Sequence, residues 1–415
     1  MSVWKLVSGS GTRLVLAQVF GTLLVLYLVL EGWARLFPPK DQMVWPGIND
    51  PVVGTTFQPN ARVVLSNGLD YRTEERTNEA GFIDRPLPPV ARKPGSCRIA
   101  VIGDSFVEAA QVPIKQKVQV ELERVLQQRR PQLAVETMAF GFSGTGQLNQ
   151  LGYLEKYVRP RKPDLIALVF VSNDFANNSS LLEAIRVGWH PAHTPRIYAR
   201  ETADGTIELQ PIDPGFMGHR LPQAVDQRPW LHARLHRASR FYRWLYAKLT
   251  LQYPALAQRI GQEPTAADRT VARVEAIGKL DPAYGRLLAG WDARTSPDID
   301  TMFGEAAPLP PAFEQALRFT AFAFDTYKAR AAADGARLVV LSTHEVTGLA
   351  EQRLRRMLAD RQIPYVPLSQ HIGASGGKLD DAHFRHDGHW SPQGHTWAAE
   401  ALADHISSKS ICGKD

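Results

Sequence analysis

The sequence is that of an α/β protein: a three-layer α/β/α sandwich around a five-stranded parallel sheet, with an N-terminal transmembrane helix and one large insertion. Three observations lead there. Behind one arginine, Arg98-Ile99-Ala100-Val101-Ile102 is an apolar run that stops at Gly103 and presents Asp104 and Ser105 before a helical pattern opens near Gln116. Such a run, ended by turn residues and followed by a helix, is a buried parallel strand feeding a crossover. Four further strand patterns alternate with helical ones, and right-handed crossovers put those helices on both faces of the sheet. Finally, residues 14–30 (LVLAQVFGTLLVLYLVL) carry no charge.

Residues 1–37 are read as the membrane anchor. Trp33, Leu36 and Phe37 extend the apolar run into the bilayer interface. A cleaved signal peptide fits less well, because Gly32-Trp33-Ala34 is a poor small-x-small site. Lys5 and Arg13 precede the span and Arg35 and Lys40 follow it. This slight bias keeps the amino end inside, giving a single-pass protein of the inner (cytoplasmic) membrane with its bulk in the periplasm or outside the cell. Cys97 and Cys412 can pair in that compartment, but two unpaired thiols are the expectation, since nothing in sequence brings them together. Residues 38–95, rich in Pro, Gly and Asn, are read as a linker that becomes an edge flap.

The catalytic domain is expected in two parts, 96–177 and 310–407. In the first, a helix over 117–128 leads to a strand over 133–140, and a helix over 148–158 to a strand over 164–171. In the second, helices over 311–333 and 349–360 feed strands over 337–342 and 363–368, and a helix from Pro392 onward, carrying Trp397 to Ile406, closes the chain. The insertion, 178–309, is too long to be a structureless loop. It offers a hairpin around Ala203-Asp204-Gly205-Thr206 and a helix over 229–251 with an apolar stripe of Leu231, Leu235, Phe241, Leu245 and Leu249. The arginines off that stripe suit either a membrane surface or, as expected here, water beside a packed stripe. Net charge is +6, with 48 basic and 42 acidic residues spread along the chain, so no nucleic-acid partner is expected.

Chemistry gathers at the strand ends, where ligands bind in such sheets. Ser105 follows the first strand. Phe140-Gly141-Phe142-Ser143-Gly144 follows the second, Ser172-Asn173-Asp174 the third, and His386-Asp387-Gly388-His389 precedes the last helix. A serine, amide donors and a histidine with a carboxylate are the parts that acyl transfer requires. A metal site from His383, His386, His389 and His395 with Asp387 is the weaker reading, because it leaves the serine and glycine blocks unexplained. Gly373-Ala374-Ser375-Gly376-Gly377 matches a nucleophile-elbow pattern but lacks the following helix.

Gly103-Asp104-Ser105-Phe106, Gly144, Asn173-Asp174 and Asp387-Gly388-His389 resemble, in order, the four blocks of the SGNH/GDSL hydrolase family. The resemblance covers roughly 75–175 and 310–405 and implies a flavodoxin-like sandwich that needs no cofactor. It implies Ser105 as nucleophile, His389 as base and Asp387 as orienting acid. The oxyanion hole would come from Ser105, Gly144 and Asn173, supported by Asp104 and Asp174. The usual last block places Asp three residues before His; here the gap is two, as in the alginate O-acetylation branch. Asp380 and Asp381 therefore stand as alternatives to Asp387. The implied activity is an esterase removing small O-acyl groups, acetyl first among them, from an acylated small molecule or a cell-envelope glycan. An O-acetyltransferase served by a membrane-bound acyl donor is a second reading, and a non-catalytic anchored binding protein a third. The insertion leaves the sheet at its catalytic end, where it can roof the crevice; its Trp189, His190, His193, Trp230, Trp244 and Trp291 suit either stacking on sugar rings or a small core of the insertion's own.

Overall fold

A computed structural model describes residues 10–36, 43–188, 196–210, 230–261, 265–306 and 308–412. The chain forms two compact units: Met1–Gln42 with Val225–Pro264, and Met43–Ala224 with Thr265–Asp415.

The larger unit is built on a sheet of β1 (Cys97–Gly103), β2 (Val135–Gly141), β3 (Leu165–Phe170), β4 (Arg337–Ser342) and β5 (Tyr365–Pro367). The strands are all parallel, in the order β2-β1-β3-β4-β5. This is the flavodoxin-like winding, whose direction reverses between β1 and β3. Successive side chains of a strand face opposite layers, and the core divides accordingly. Ala100, Ile102, Met138, Phe140, Ile166 and Leu168 pack with the helices Gln147–Tyr153, Pro311–Ala333 and Gly348–Asp360. Ile99, Val101, Ala139, Ala167 and Val169 pack with Val118–Arg129 and Pro392–Ser408. The charged residue in the β1 run is also accounted for. Arg98 is fully buried, and its guanidinium reaches Glu136 Oε2 at 2.8 and 3.0 Å and the Arg161 carbonyl at 2.7 Å. A buried charge is tolerated when its donors are used in this way.

Strand and helix positions agree with the sequence pattern to within a few residues, because both periodicities were strong. Three expectations need correction. Residues 43–95 are not a linker laid on an edge: Val53, Phe57, Val63, Phe82 and Ile83 are buried in the main core. The cysteines are not free. Cys97 at the start of β1 is bonded to Cys412, with Cα atoms 5.0 Å apart. The insertion is not one roof either, since Val225–Pro264 belongs with the N-terminal helix and the rest with the sheet. Of its aromatics, Trp291 is buried against Phe313, Trp244 lies in the smaller unit, and Trp189, His190 and His193 lie outside the described residues. The hairpin is present, as Tyr198–Glu201 paired with Ile207–Gln210.

In the smaller unit the helix Ser10–Leu36 contains a segment, Leu14–Leu36, long and apolar enough to cross a membrane, with mean hydropathy 2.1. The helix expected over 229–251 is broken in two, Trp230–Ala238 and Arg240–Gln252, at Ser239. Ser239 caps the second piece, and Glu31 completes the cap. Its carboxylate accepts from Ser239 Oγ at 2.7 Å and from the Phe241 and Arg240 amides at 3.0 and 3.1 Å. An acid at the end of the apolar run thus satisfies donors that a helix start leaves open.

Removing the covalent tie should be measurable. A Cys97→Ala/Cys412→Ala variant is expected to lose about 2–4 kcal/mol of stability, seen as a lower melting temperature of the purified protein. An unchanged melting temperature would show that sheet packing alone holds the carboxyl-terminal tail.

Candidate active site

A cavity of about 570 Å³ opens where β1 and β3 diverge, and Ser105, Phe106, Asn173, Asp387 and His389 line it together with Asp298, Asp300 and Glu345. The winding explains the meeting: adjacent parallel strands end side by side while their connections leave on opposite faces. Ser105 opens the short helix Ser105–Glu108, and Asp104 caps it by accepting from the Phe106 amide at 3.0 Å. The Ser105 hydroxyl donates to Asp104 Oδ2 at 3.3 Å. Asn173 also hydrogen-bonds Asp104 through its side chain, and its Oδ1 is buried without a partner. Asp174 stitches the end of β3 to the turn after β2, accepting from the Val171 amide at 2.8 Å and Gln147 Nε2 at 2.7 Å.

His389 and Asp387 lie on one short strand, Asp387–Trp390, paired antiparallel with His383–Phe384. Residues two apart on a strand share a face, which is why a two-residue gap joins this acid to this base. Asp387 Oδ1 accepts from His389 Nδ1 at 2.5 Å and from the His389 amide at 3.0 Å. Because the acceptor is a carboxylate, Nδ1 carries the proton and Nε2 keeps its lone pair. Asp380 and Asp381 sit instead in the turn Leu379–Ala382. The neighbouring histidines are engaged elsewhere. His386 donates its amide to Asp70 and places Nδ1 against it, both at 2.9 Å; buried His395 accepts from the Val118 amide at 3.2 Å. Among the described residues, no group of three or more His, Cys, Asp or Glu side chains converges as a metal site would.

Burial and partners sort the acids. Burial pushes Asp104 up; it pushes Asp174 well up, helped by the charge of Asp104, and brings Glu108 to about 7. Burial also works against an ionised Asp387, yet its bonds to His389 and Tyr71 prevail and hold it at about 2. For His389, burial opposes the charged ring, but the bond to Asp387 and nearby negative charge raise its pKa above the usual 6.5.

Gly144 lies at the turn after β2 with φ +67°, a conformation that only glycine adopts cheaply. It lines the cavity next to the serine crevice rather than the crevice itself. Its peptide is held from both sides. Arg196 Nη1 donates to the Gly144 carbonyl, and buried Glu108 accepts from the Ser143 amide at 2.7 Å and the Ser143 hydroxyl at 2.9 Å. Gly141 permits the close approach, since a Cβ there would meet Val107 C at 2.6 Å.

Sequence reasoning missed Tyr71, Glu108 and Arg196. Tyr71 donates its hydroxyl to Asp387 Oδ2, so the carboxylate is gripped from both oxygens. Tyr71 and Asp70 follow the turn Asn67-Gly68 of the hairpin Arg62–Ser66/Arg72–Arg76, and together they clamp the His386-Asp387 pair. No local pattern could have marked Tyr71. Glu108, an acid three residues beyond Ser105 in an otherwise apolar stretch, was a usable signal.

No family model and no curated protein matches the chain. Among solved structures it is similar to a catalytic mutant of Axe2, an acetylxylan esterase from Geobacillus stearothermophilus. That match has 10% identity and TM-score 0.36, covering 76% of this chain and 96% of that one. It is also similar to a two-domain esterase active on acetylated mannans, co-crystallised with mannopentaose, at 8% identity and TM-score 0.36, covering 77% of this chain and 51% of that one. A lipolytic protein of the G-D-S-L family from Desulfitobacterium hafniense matches at 9% identity and TM-score 0.31, covering 74% and 99%.

The pairing of His389 with Asp387 sets a titration. By NMR, the His389 ring is expected to titrate above 6.5 in the native protein. In Asp387→Asn the titration should move down, because burial then acts with its main opponent removed. Identical titrations in the two proteins would show that Asp387 does not govern the imidazole.

Proposed function

We propose that this protein is a serine esterase of SGNH type that removes small O-acyl groups, acetyl above all, from cell-envelope carbohydrate through an acyl-Ser105 intermediate. One observation carries the reading: Ser105, Asn173 and His389 line one cavity, and Asp387 holds the His389 ring by Nδ1, so that Nε2 remains for the serine. Ser105 Oγ attacks the acyl carbonyl while His389 Nε2 takes its proton, since a serine hydroxyl at its free pKa is a poor nucleophile. The imidazolium that forms is stabilised by Asp387, whose carboxyl is held low by its bonds to His389 and Tyr71. Negative charge on the carbonyl oxygen falls to the amide of Ser105 and the side chain of Asn173, both at the crevice, donors of a kind worth about 3 kcal/mol each. Collapse returns the proton from His389 to the leaving alcohol; water, activated by the same ring, then releases the acid and frees Ser105.

In this mechanism the hydroxyl of Ser105 turns from Asp104 toward His389 when substrate enters, a rotation about one side-chain bond. Tyr71 acts through Asp387, keeping Oδ1 in the plane of the His389 ring. The proposed location is the inner membrane, with the catalytic unit periplasmic or extracellular. The apolar helix Leu14–Leu36 supports an anchor, and the Cys97–Cys412 bridge suits an oxidising compartment.

Full-length protein in detergent is expected to hydrolyse 4-nitrophenyl acetate and to be labelled at Ser105 by a serine-reactive phosphonate, located by peptide mass spectrometry. Ser105→Ala should lower turnover by about three orders of magnitude or more. Equal rates for wild type and Ser105→Ala would sink the esterase reading.

Tyr71→Phe should lower kcat by about 10-fold to 100-fold, the range for a hydrogen bond to a charged group, and leave KM nearly constant. It should also move the acidic limb of the pH–rate profile upward, because the carboxylate then serves His389 alone. A fall in kcat with an unmoved pH profile would make Tyr71 merely structural.

A further inference from the structure

Beside the serine crevice lies a second cavity of about 750 Å³. Most of its walls come from parts of the chain outside the four blocks that frame the serine. The N-terminal strands supply Trp45, Ile48 and Asn49; the helix Ser180–Val187 supplies Glu183, Arg186 and Val187; Arg196 and Tyr198 follow. Phe142 and Gly144 close it on the side of the candidate oxyanion hole.

Two properties of this cavity define what it can hold. The first is an aromatic wall. Phe57 packs between Trp45 and Phe142, with ring centroids 4.8 Å apart on both sides, so the two rings that reach the cavity are braced by a third. Rigid aromatic faces present large area at little entropic cost. The second is charge balance. Arg196 pairs with Glu183 at 3.0 Å, and Arg186 pairs with Asp300 at 3.1 Å and with Glu183 at 3.8 Å. Both cations at the wall are thus already paired, Arg196 with Glu183 in the cavity and Arg186 with Asp300 in the adjoining crevice, so neither is left open for an anionic ligand. Aromatic faces with mixed, neutralised donors and acceptors suit a neutral polyhydroxylated ring. They suit less well a uronate, which would have to compete with Glu183 and Asp300 for arginines already paired, or an alkyl chain, which would strand the ion pairs.

The cavity is also joined to the catalytic crevice. Arg186 lines one and its partner Asp300 lines the other, so this ion pair is their common wall. Arg196 reaches from the cavity to the carbonyl of Gly144. We propose that the second cavity is a subsite for a neutral sugar residue of the acylated chain, adjacent to the residue whose ester lies at Ser105. The proposal rests on the esterase reading for its place in the reaction, but not for binding.

The test titrates full-length protein in detergent with unacetylated xylohexaose and mannohexaose by calorimetry, using wild type, Val187→Trp, which fills the cavity, and Asn49→Ala, an exposed and mild change. Kinetics on the acetylated forms of the same oligosaccharides, 4-nitrophenyl acetate and 4-nitrophenyl octanoate run alongside, with melting temperatures confirming folded variants. At least one neutral oligosaccharide should bind wild type, and Val187→Trp should weaken it tenfold or more. The kcat/KM for the acetylated oligosaccharide should fall at least tenfold further than that for 4-nitrophenyl acetate. Absence of oligosaccharide binding to wild type, or equal binding to all three proteins, overturns the proposal. A loss confined to the octanoate ester overturns it in favour of an acyl-chain pocket, and tighter binding of oligogalacturonate overturns the charge-balance argument. If wild type binds the sugars but hydrolyses no ester, the subsite stands and the esterase reading falls.

Discussion

The parallel pairing of β1 with β3 is the constraint on which the rest of this protein depends. Ile99 to Ile102 lie beside Leu165 to Leu168, so the two strands finish at the same edge of the sheet. The chain leaves β1 toward one face and reaches β3 from the other, because right-handed crossovers permit nothing else. A gap therefore opens between Ser105 and Asn173 that no connection crosses. Both strands are buried on both faces, so a one-residue slip would turn side chains such as Ile102 and Leu168 into the wrong layer. The position of the serine relative to the asparagine is thus as stable as the core itself.

Around that gap the protein distributes acidic groups by environment. Asp104, Asp174 and Glu108 are buried, and their pKa values rise; their work is to hold backbone amides, Ser143 and Gln147 in place. Asp387 is instead drawn low, by His389 on one oxygen and Tyr71 on the other. Carboxylates pushed apart in this way take different roles, one as charge and the others as scaffold.

The N-terminal unit applies the same logic in another setting. Glu31 ends the uncharged apolar run of its helix and is used at once, by the hydroxyl of Ser239, two helix-start amides and Arg35. A charged residue there is costly unless its oxygens are occupied, and the break at Ser239 supplies the donors. That break is why a single amphipathic helix over 229–251 does not form, although the stripe of Leu231, Leu235, Phe241 and Leu245 reads as continuous.

Local pattern was enough for the sheet and for the order of the blocks. The β1 run, the helices 118–129 and 311–333, and the turn at Gly144 are each determined by side chains within a dozen residues, and periodicity records such interactions directly. The pairing of Asp387 with His389 was also within reach, since strand geometry alone puts residues two apart on one face. What tertiary structure decided are the contacts with no local signature. Tyr71 meets Asp387 across 316 residues, and Cys97 meets Cys412 across 315. Arg196 from the insertion meets the carbonyl of Gly144. Each depends on where two distant surfaces come to rest, which is set by packing of the whole core rather than by the residues in contact. The framework of the site could therefore be read along the chain, whereas the groups that tune it became visible only once the chain had closed on itself.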